Sequence, residues 1–303
     1  MAHLESSTLF SVKGLVAVIT GGGSGLGKNM ALALDANGAS KVFIIGRRES
    51  KLSETAVLAI NGSIIPIVGD VSSKESLQAA YDQITLQTDY IDVLVANSGI
   101  VGPSANPPPQ PNGSQPTLLD LQRHLWAMPM EDFSQVSHVN VTGAFYTVIV
   151  FLPLLDAANR NRSPAIPGVL SPPRPQIIIM SSIAGFLRVG VGGFAYHASK
   201  AAVNLLIKML STTLAKHHIR VNGIAPGPYY SELSAGLYEK QGIVGQGISE
   251  GSFPSDFIPL TRAGAPEDIA GIILWMAGAA GGYLNGTVVV SDGGRLGAFP
   301  STY

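Results

Sequence analysis

The 303-residue chain predicts an α/β fold: a Rossmann-type, doubly wound parallel sheet of seven strands with helices on both faces. Short β-branched runs alternate with longer stretches of helical periodicity, the rhythm of repeated βαβ units. Hydrophobic residues make up 46% of the chain and charged residues 13%, so most elements need cover on both faces, as strands of a parallel sheet do. A glycine cluster falls directly between the first such strand and the first such helix. The length suits one large domain over 1–303, since a second complete core would be cramped.

The first expected strand, 16–20, reads Val-Ala-Val-Ile-Thr, apolar on both faces. A helix at 26–37 follows, and strand 41–45 with helix 50–60 repeats the unit. Strand 64–68, helix 74–88 and strand 92–96 continue it, and then come helix 132–159, strand 176–181, helix 195–217, strand 220–224, helix 266–278 and strand 287–290. Right-handed crossovers wind the two halves outward from the first strand and put a cofactor crevice at the carboxyl ends of the strands. Two inserts break the rhythm: 101–116, rich in Pro, Gly, Asn and Ser, and 159–175, rich in Pro and Arg. Both read as exposed loops, the first near the crevice and the second on the far face. The Gly-, Tyr- and Ser-rich stretch 227–257 is the expected substrate lid, with Tyr229, Tyr230, Tyr238 and Phe253 placed to grip a cyclic or aromatic substrate.

Composition excludes several classes of function. The formal net charge is −1 with no basic block, so neither nucleic acid nor an anionic membrane is an expected partner. Absence of cysteine removes disulfides, thiolate catalysis and cysteine-ligated zinc, and no His, Asp and Glu group has metal-ligand spacing. The polar start, 1–13, has no signal-peptide pattern, and the apolar run 144–155 is shorter than the roughly 20 residues of a membrane span. A cytoplasmic location is expected.

Thr20-Gly21-Gly22-Gly23-Ser24-Gly25-Leu26-Gly27 lies between a strand and a helix, where glycines allow a sharp turn and close approach of a pyrophosphate to the positive end of the helix. The second strand ends in Gly46-Arg47-Arg48, without the acid that would bond a free ribose 2′-hydroxyl. Arg47 offers a planar fork for a 2′-phosphate, with Arg48 beside it, so the expected cofactor is NADPH/NADP+ in preference to NADH. Asp70 and Val71 end the third strand; Asp70 either lies near an adenine amino group or caps the next helix. Tyr196 and Lys200 are four residues apart on one helical face, and a nearby ammonium is expected to pull the phenol pKa down from about 10 so that it exchanges protons near neutrality. Ser181 and Ser182 emerge at a strand's carboxyl edge, where Ser182 can hydrogen-bond a substrate oxygen.

In this order the motifs resemble those of the short-chain dehydrogenase/reductase family from Gly14 to Gly294. The Thr-Gly-x-x-x-Gly-x-Gly loop matches Thr20 to Gly27, the Asn-Asn-Ala-Gly motif matches Ala96-Asn97-Ser98-Gly99, and the Pro-Gly turn matches Pro226-Gly227. The active-site tetrad matches Asn140, Ser182, Tyr196 and Lys200. The resemblance implies that Tyr196 is the general acid/base and that Ser182 polarises the carbonyl. It implies that Lys200 holds the nicotinamide ribose and lowers the Tyr196 pKa, and that Asn140 binds a relay water. Asn97 would brace the central strand with Gly99 beside it, and Ser231 would touch the nicotinamide amide. The chain departs from the family at Ala96 and Ser98, in a Ser182-to-Tyr196 spacing one residue longer than usual, and in the insert 101–116.

His197 is expected to be a pocket wall or packing residue, and His217-His218 to close a helix. Helices 132–159 and 195–217, weakly charged, are the expected interfaces of a homodimer or homotetramer. The resulting expectation is an NADPH-dependent carbonyl reductase acting on a small to bulky organic ketone of specialised metabolism. The same residues would serve an alcohol dehydrogenase running oxidatively, and a non-catalytic NADP-binding sensor or scaffold is the third reading.

Overall fold

The computed structural model describes residues 4–106, 114–162, 164–190, 193–232, 234–240, 242–243 and 245–303. Seven parallel strands form one sheet: β1 (Val16–Thr20), β2 (Lys41–Gly46), β3 (Ile64–Val68), β4 (Val93–Ala96), β5 (Gln176–Met180), β6 (Arg220–Pro226) and β7 (Val288–Ser291). Their order is β3-β2-β1-β4-β5-β6-β7. β1 therefore lies between β2 and β4, with Val18 opposite both Phe43 and Leu94. The winding direction reverses there, which opens a crevice beyond the carboxyl ends of β1 and β4.

The helices are α1 (Ser6–Leu9), α2 (Gly25–Ala36), α3 (Glu49–Val57), α4 (Lys74–Thr85), α5 (Leu118–Trp126), α6 (Met130–Ser137), α7 (Ala144–Arg160), α8 (Phe194–Ala215), α9 (Ala235–Lys240), α10 (Pro266–Ala277) and α11 (Arg295–Ala298). Alternating strand residues feed two cores. Val16, Val18, Phe43, Leu94 and Ile177 pack with Ile84 of α4, Phe151 of α7 and Ile207 of α8. On the other face Ala17, Ile19, Ile44, Val95 and Ile178 pack with Met30 of α2 and Ile273 of α10. Both faces of the sheet are covered, as the low charge content requires.

Two expectations are corrected. The single helix 132–159 is three pieces: α6, a π-turn at His138–Gly143, and α7. The extra residue in that turn is held by tertiary bonds from Asn140, described below, which no periodicity reports. Helix α5 lies beyond the insert and was not expected, although Thr117 and Asp120 form a capping box just before it. Of the insert itself, 107–113 lie outside the described residues. The segment 130–160 is long and apolar enough to cross a bilayer, yet Val148, Phe151, Leu154 and Leu155 are buried against the sheet.

Candidate active site

A cleft of about 900 Å³ runs along the carboxyl ends of the strands. Every catalytic or cofactor residue expected from the sequence lines it except Gly27 and Asn140, which stand directly behind the lining. At Gly27 an added methyl carbon would fall 2.3 Å from the Gly21 carbonyl oxygen and 2.5 Å from Asn97 Nδ2. Gly21 has φ +69° and Gly25 φ +53°, conformations that side chains with a Cβ rarely adopt.

The glycine loop is held from β4. Asn97 Nδ2 donates to the Thr20 carbonyl (2.9 Å), and the Asn97 and Ser98 amides donate to Thr20 Oγ1 (3.0 and 3.1 Å). Asn97 thus braces β1 against β4 as expected, and Ser98 leaves these bonds intact. Ser24, the N-cap of α2, takes no hydrogen bond from the helix through its side chain, so the first-turn amides face the cleft. A turn that excludes Cβ atoms and an uncapped twelve-residue helix behind it fit a dinucleotide pyrophosphate.

Arg47 is exposed at the cleft rim and makes no hydrogen bond or ion pair with the described residues. Arg48 is engaged: its Nη2 lies 2.7 Å from Glu232 Oε2 and donates to Ser24 Oγ (3.3 Å). That bond holds the Glu232 carboxyl below its ordinary range. Asp70 Oδ1 accepts from the Ser72 amide (2.9 Å) and hydroxyl (2.7 Å), while the N-cap of α4 is Ser73, so Asp70 does not cap the helix. Burial would raise the Asp70 pKa, but the Ser72 bonds and the nearby Arg47 charge outweigh it. Val71 and Gly99 also line the cleft, as do Pro226 and Gly227 at the end of β6. Ser231 sits against the start of α2, 3.2 Å from where a Gly25 methyl would be.

At the cleft floor Tyr196 and Ser182 share the lining, with the Ser182 side chain close enough to favour the phenolate, and Ser182 Oγ accepts from the Ala184 amide (3.1 Å). The convergence survives the longer Ser182-to-Tyr196 loop. Gly193 absorbs the loop at φ +119° and packs so closely on the insert that an added methyl would meet the Pro103 carbonyl at 2.3 Å. Lys200 is only 4% exposed; its Nζ donates to the Met180 carbonyl (2.8 Å) and lies 5.7 Å from the Tyr196 ring centroid. Burial lowers its pKa to about 8.

The expected fall in the Tyr196 pKa is corrected. Burial pushes the phenol above its ordinary value, only the neighbouring Ser182 side chain opposes that, and the ammonium is turned toward Met180.

Asn140 acts as a bracket. Its Oδ1 accepts from the Ile100 amide (2.8 Å), and its Nδ2 donates to the Ile100 carbonyl (2.9 Å) and Ser199 Oγ (3.0 Å). The π-turn carries Asn140 to where it ties the loop after β4 to α8. His197 does line the cleft: Nδ1 donates to the Gly193 carbonyl (2.9 Å), leaving buried Nε2 without a partner. Tyr229, Tyr238 and Phe253 line the cleft, whereas Tyr230 packs edge-on to Tyr238 from outside it.

Glu232 and Arg295 are among the cleft residues that the sequence pattern does not reveal. Glu232 has no local signal. Arg295 follows the turn Asp292-Gly-Gly, the only hint that the chain doubles back beyond β7.

Sheet order, glycine cradle and the Tyr-Ser-Lys floor define a nicotinamide-dependent α/β oxidoreductase class. The model of the short chain dehydrogenase family matches residues 15–242. A short-chain dehydrogenase/reductase of Diaporthe leptostromiformis, PhomF, is 45% identical over 99% of this chain and 97% of its own length. VdtF of Byssochlamys spectabilis, also a short-chain dehydrogenase/reductase, is 37% identical over 99% and 98%. The structure of a Pseudomonas aeruginosa RhlG/NADP active-site complex superposes with a TM-score of 0.76 at 30% identity, covering 95% of this chain and 98% of that one. The chain belongs to the short-chain dehydrogenase/reductase family, whose members bind a nicotinamide cofactor and oxidise or reduce CH–OH and C=O groups.

Proposed function

We propose that the protein is an NADPH-dependent carbonyl reductase acting on a bulky ketone of specialised metabolism. The observation that carries this reading is the Tyr196 hydroxyl meeting Ser182 at the floor of the cleft, with Lys200 buried behind it. Bound NADPH would supply a hydride to the carbonyl carbon. Gly21, Gly23, Ser24, Gly25 and Leu26 would hold its pyrophosphate and Arg47 its 2′-phosphate. Asp70 and Val71 would flank the adenine, and Ser231 the nicotinamide.

Ser182 would orient the substrate oxygen and Tyr196 would give it a proton. The upward shift of the Tyr196 pKa suits this direction, since the phenol is protonated when reduction begins. As the proton leaves, the Lys200 charge stabilises the phenolate in a site shielded from water. Both Asn140 amide hydrogens are engaged, so a relay water would have to be held by the main chain of the π-turn.

The oxidative direction uses the same groups. A scaffold role is disfavoured by Lys200, a buried ammonium that a pure binder would have no reason to keep. We place the enzyme in the cytoplasm as a homo-oligomer: Ile149 of α7 and Phe194, Leu205 and Met209 of α8 are all at least 40% exposed on weakly charged helices. Light scattering tests that assembly.

The function is tested by screening ketones and alcohols spectroscopically with NADPH and NADH in parallel. Turnover with NADPH preferred is expected. Tyr196→Phe should lower kcat by roughly 100- to 10,000-fold with cofactor binding retained. Unchanged hydride transfer in that variant would remove Tyr196 from the mechanism.

A further inference from the structure

We infer that the end of the cleft formed by Tyr238 and Arg295 is a subsite for a carboxylate on an aromatic or cyclic substrate. The inference rests on the reductase reading only for which molecule carries that carboxylate. Arg295 is 5% exposed and lines the same cleft as Tyr196 and Ser182. Its guanidinium lies 3.6 Å from the Phe257 ring centroid and 4.3 Å from that of Phe299. Nη1 donates to the Phe257 carbonyl (2.8 Å), the one hydrogen bond the group makes among the described residues, although a guanidinium carries five N–H donors.

No carboxylate among the described residues comes within 4.0 Å of it. The nearest in sequence, Asp292, is occupied in the turn: Oδ1 accepts from the Gly294 amide (2.9 Å) and Oδ2 from the Leu296 amide (2.7 Å). Burial correspondingly lowers the Arg295 pKa to about 10, a value at which it is still charged at neutrality. Asp292 offsets part of that cost through its charge, but its oxygens are already engaged by main-chain amides, so a buried cation of this kind is best stabilised when a ligand supplies a further anion.

The second donor is Tyr238. It is 2% exposed, and its hydroxyl is buried without a hydrogen-bond partner. Arg295 and Tyr238 belong to separate segments, one beyond β7 and the other in α9, yet each influences the other's ionisation. Between them Phe253 and Phe257 stack with ring centroids 5.8 Å apart and planes 13° from parallel. A stack of aromatic rings flanked by a guanidinium fork and a hydroxyl donor matches a planar carboxylate on an apolar frame.

The test uses the full-length protein with benzoylformate, 3-benzoylpropionate and 4-benzoylbutyrate, each paired with its methyl ester, and NADPH as reductant. The readout is the acid-to-ester ratio of kcat/KM. For the best-fitting pair the ratio should favour the acid and fall by about 10- to 100-fold in Arg295→Met, as expected for loss of charge-assisted hydrogen bonds. Arg295→Lys should retain part of it. Tyr238→Phe deletes only an unpartnered hydroxyl, so it should fold normally and lower the ratio by a few-fold; this keeps the test decisive if Arg295→Met does not fold.

In parallel, binding of 4-phenylbutyrate, which has no ketone, is measured by calorimetry on the protein saturated with NADP+. Binding that Arg295→Met or Tyr238→Phe weakens supports the subsite even if no keto acid is reduced, an outcome that would overturn the reductase reading alone. Ketone reduction indifferent to the acid-to-ester change, with no 4-phenylbutyrate binding, overturns the subsite and leaves the reductase reading standing.

Discussion

The two ends of the cleft are made of different materials. The nucleotide end is main chain: Gly21 and Gly25 at positive φ, Gly27 under the Gly21 carbonyl, and Asn97 stitching β1 to β4. Its shape follows from what is missing, the Cβ atoms. The substrate end is side chain, with Tyr238, Phe253 and Phe257 from the segment beyond β6 gathered into a small core of their own and Arg295 from beyond β7 lying over Phe257. A backbone cradle tolerates almost no substitution and serves one ligand. An aromatic wall on long connections can change while the sheet stays as it is.

The largest effect expected outside the catalytic proton transfer concerns Lys200, at the junction of the two ends. Between pH 8 and 10.5 the unfolded chain holds a proton on Lys200 that the folded chain has lost, so stability attributable to this residue rises with pH through that window. Relative to Lys200→Met, the wild type should gain on the order of 3 kcal/mol across it, read from denaturation curves. A flat difference would mean that the ammonium is not desolvated.

Gly27→Ala comes next. Its methyl must displace the Gly21 carbonyl, and overpacking of about 1–3 kcal/mol predicts a roughly 10- to 100-fold weaker cofactor affinity by fluorescence titration. An unchanged affinity would show that the nucleotide end yields at the Gly21 carbonyl and is less rigid than its close main-chain packing implies. Arg47→Ala should lower the affinity for NADPH by about 10-fold with little change for NADH, the loss of one phosphate contact.

The smallest effect is expected where the ends touch. Glu232, from the segment after β6, pairs with Arg48 beside the nucleotide cradle, both side chains half exposed. Glu232→Gln should change stability by less than about 1 kcal/mol while raising the preference for NADPH a few-fold, because Arg48 is released. A larger loss of stability would make the pair a structural clamp between the ends.

Legibility divides along the same line. The glycine loop, the strand alternation, Tyr196 four residues before Lys200, and Ser182 at a strand edge are short-range patterns, so they could be read before any fold was known. The break in 132–159 could not, because the π-turn is held by bonds from Asn140 to Ile100 and Ser199, 40 and 59 residues away. The Tyr196 pKa departs from the sequence expectation for a related reason. Spacing along a helix placed the ammonium, but burial and the Met180 carbonyl set its effect. Helix α5 is different, since its capping box was in plain sight at Thr117 and Asp120 behind a proline-rich insert.

Residue order alone determined the seven-stranded architecture, the family and the main-chain cradle, because periodicity of two or 3.6 residues and the lack of a Cβ are local properties. Tertiary structure decided which side chains face one another across the cleft. Arg295 lies 99 residues from Tyr196 in the chain, and the two share a cleft only because the turn at Gly293 and Gly294, both at positive φ, sends the chain back over the sheet. Burial is likewise a property of the folded whole, and it sets the ionisation of Tyr196, Lys200 and Arg295.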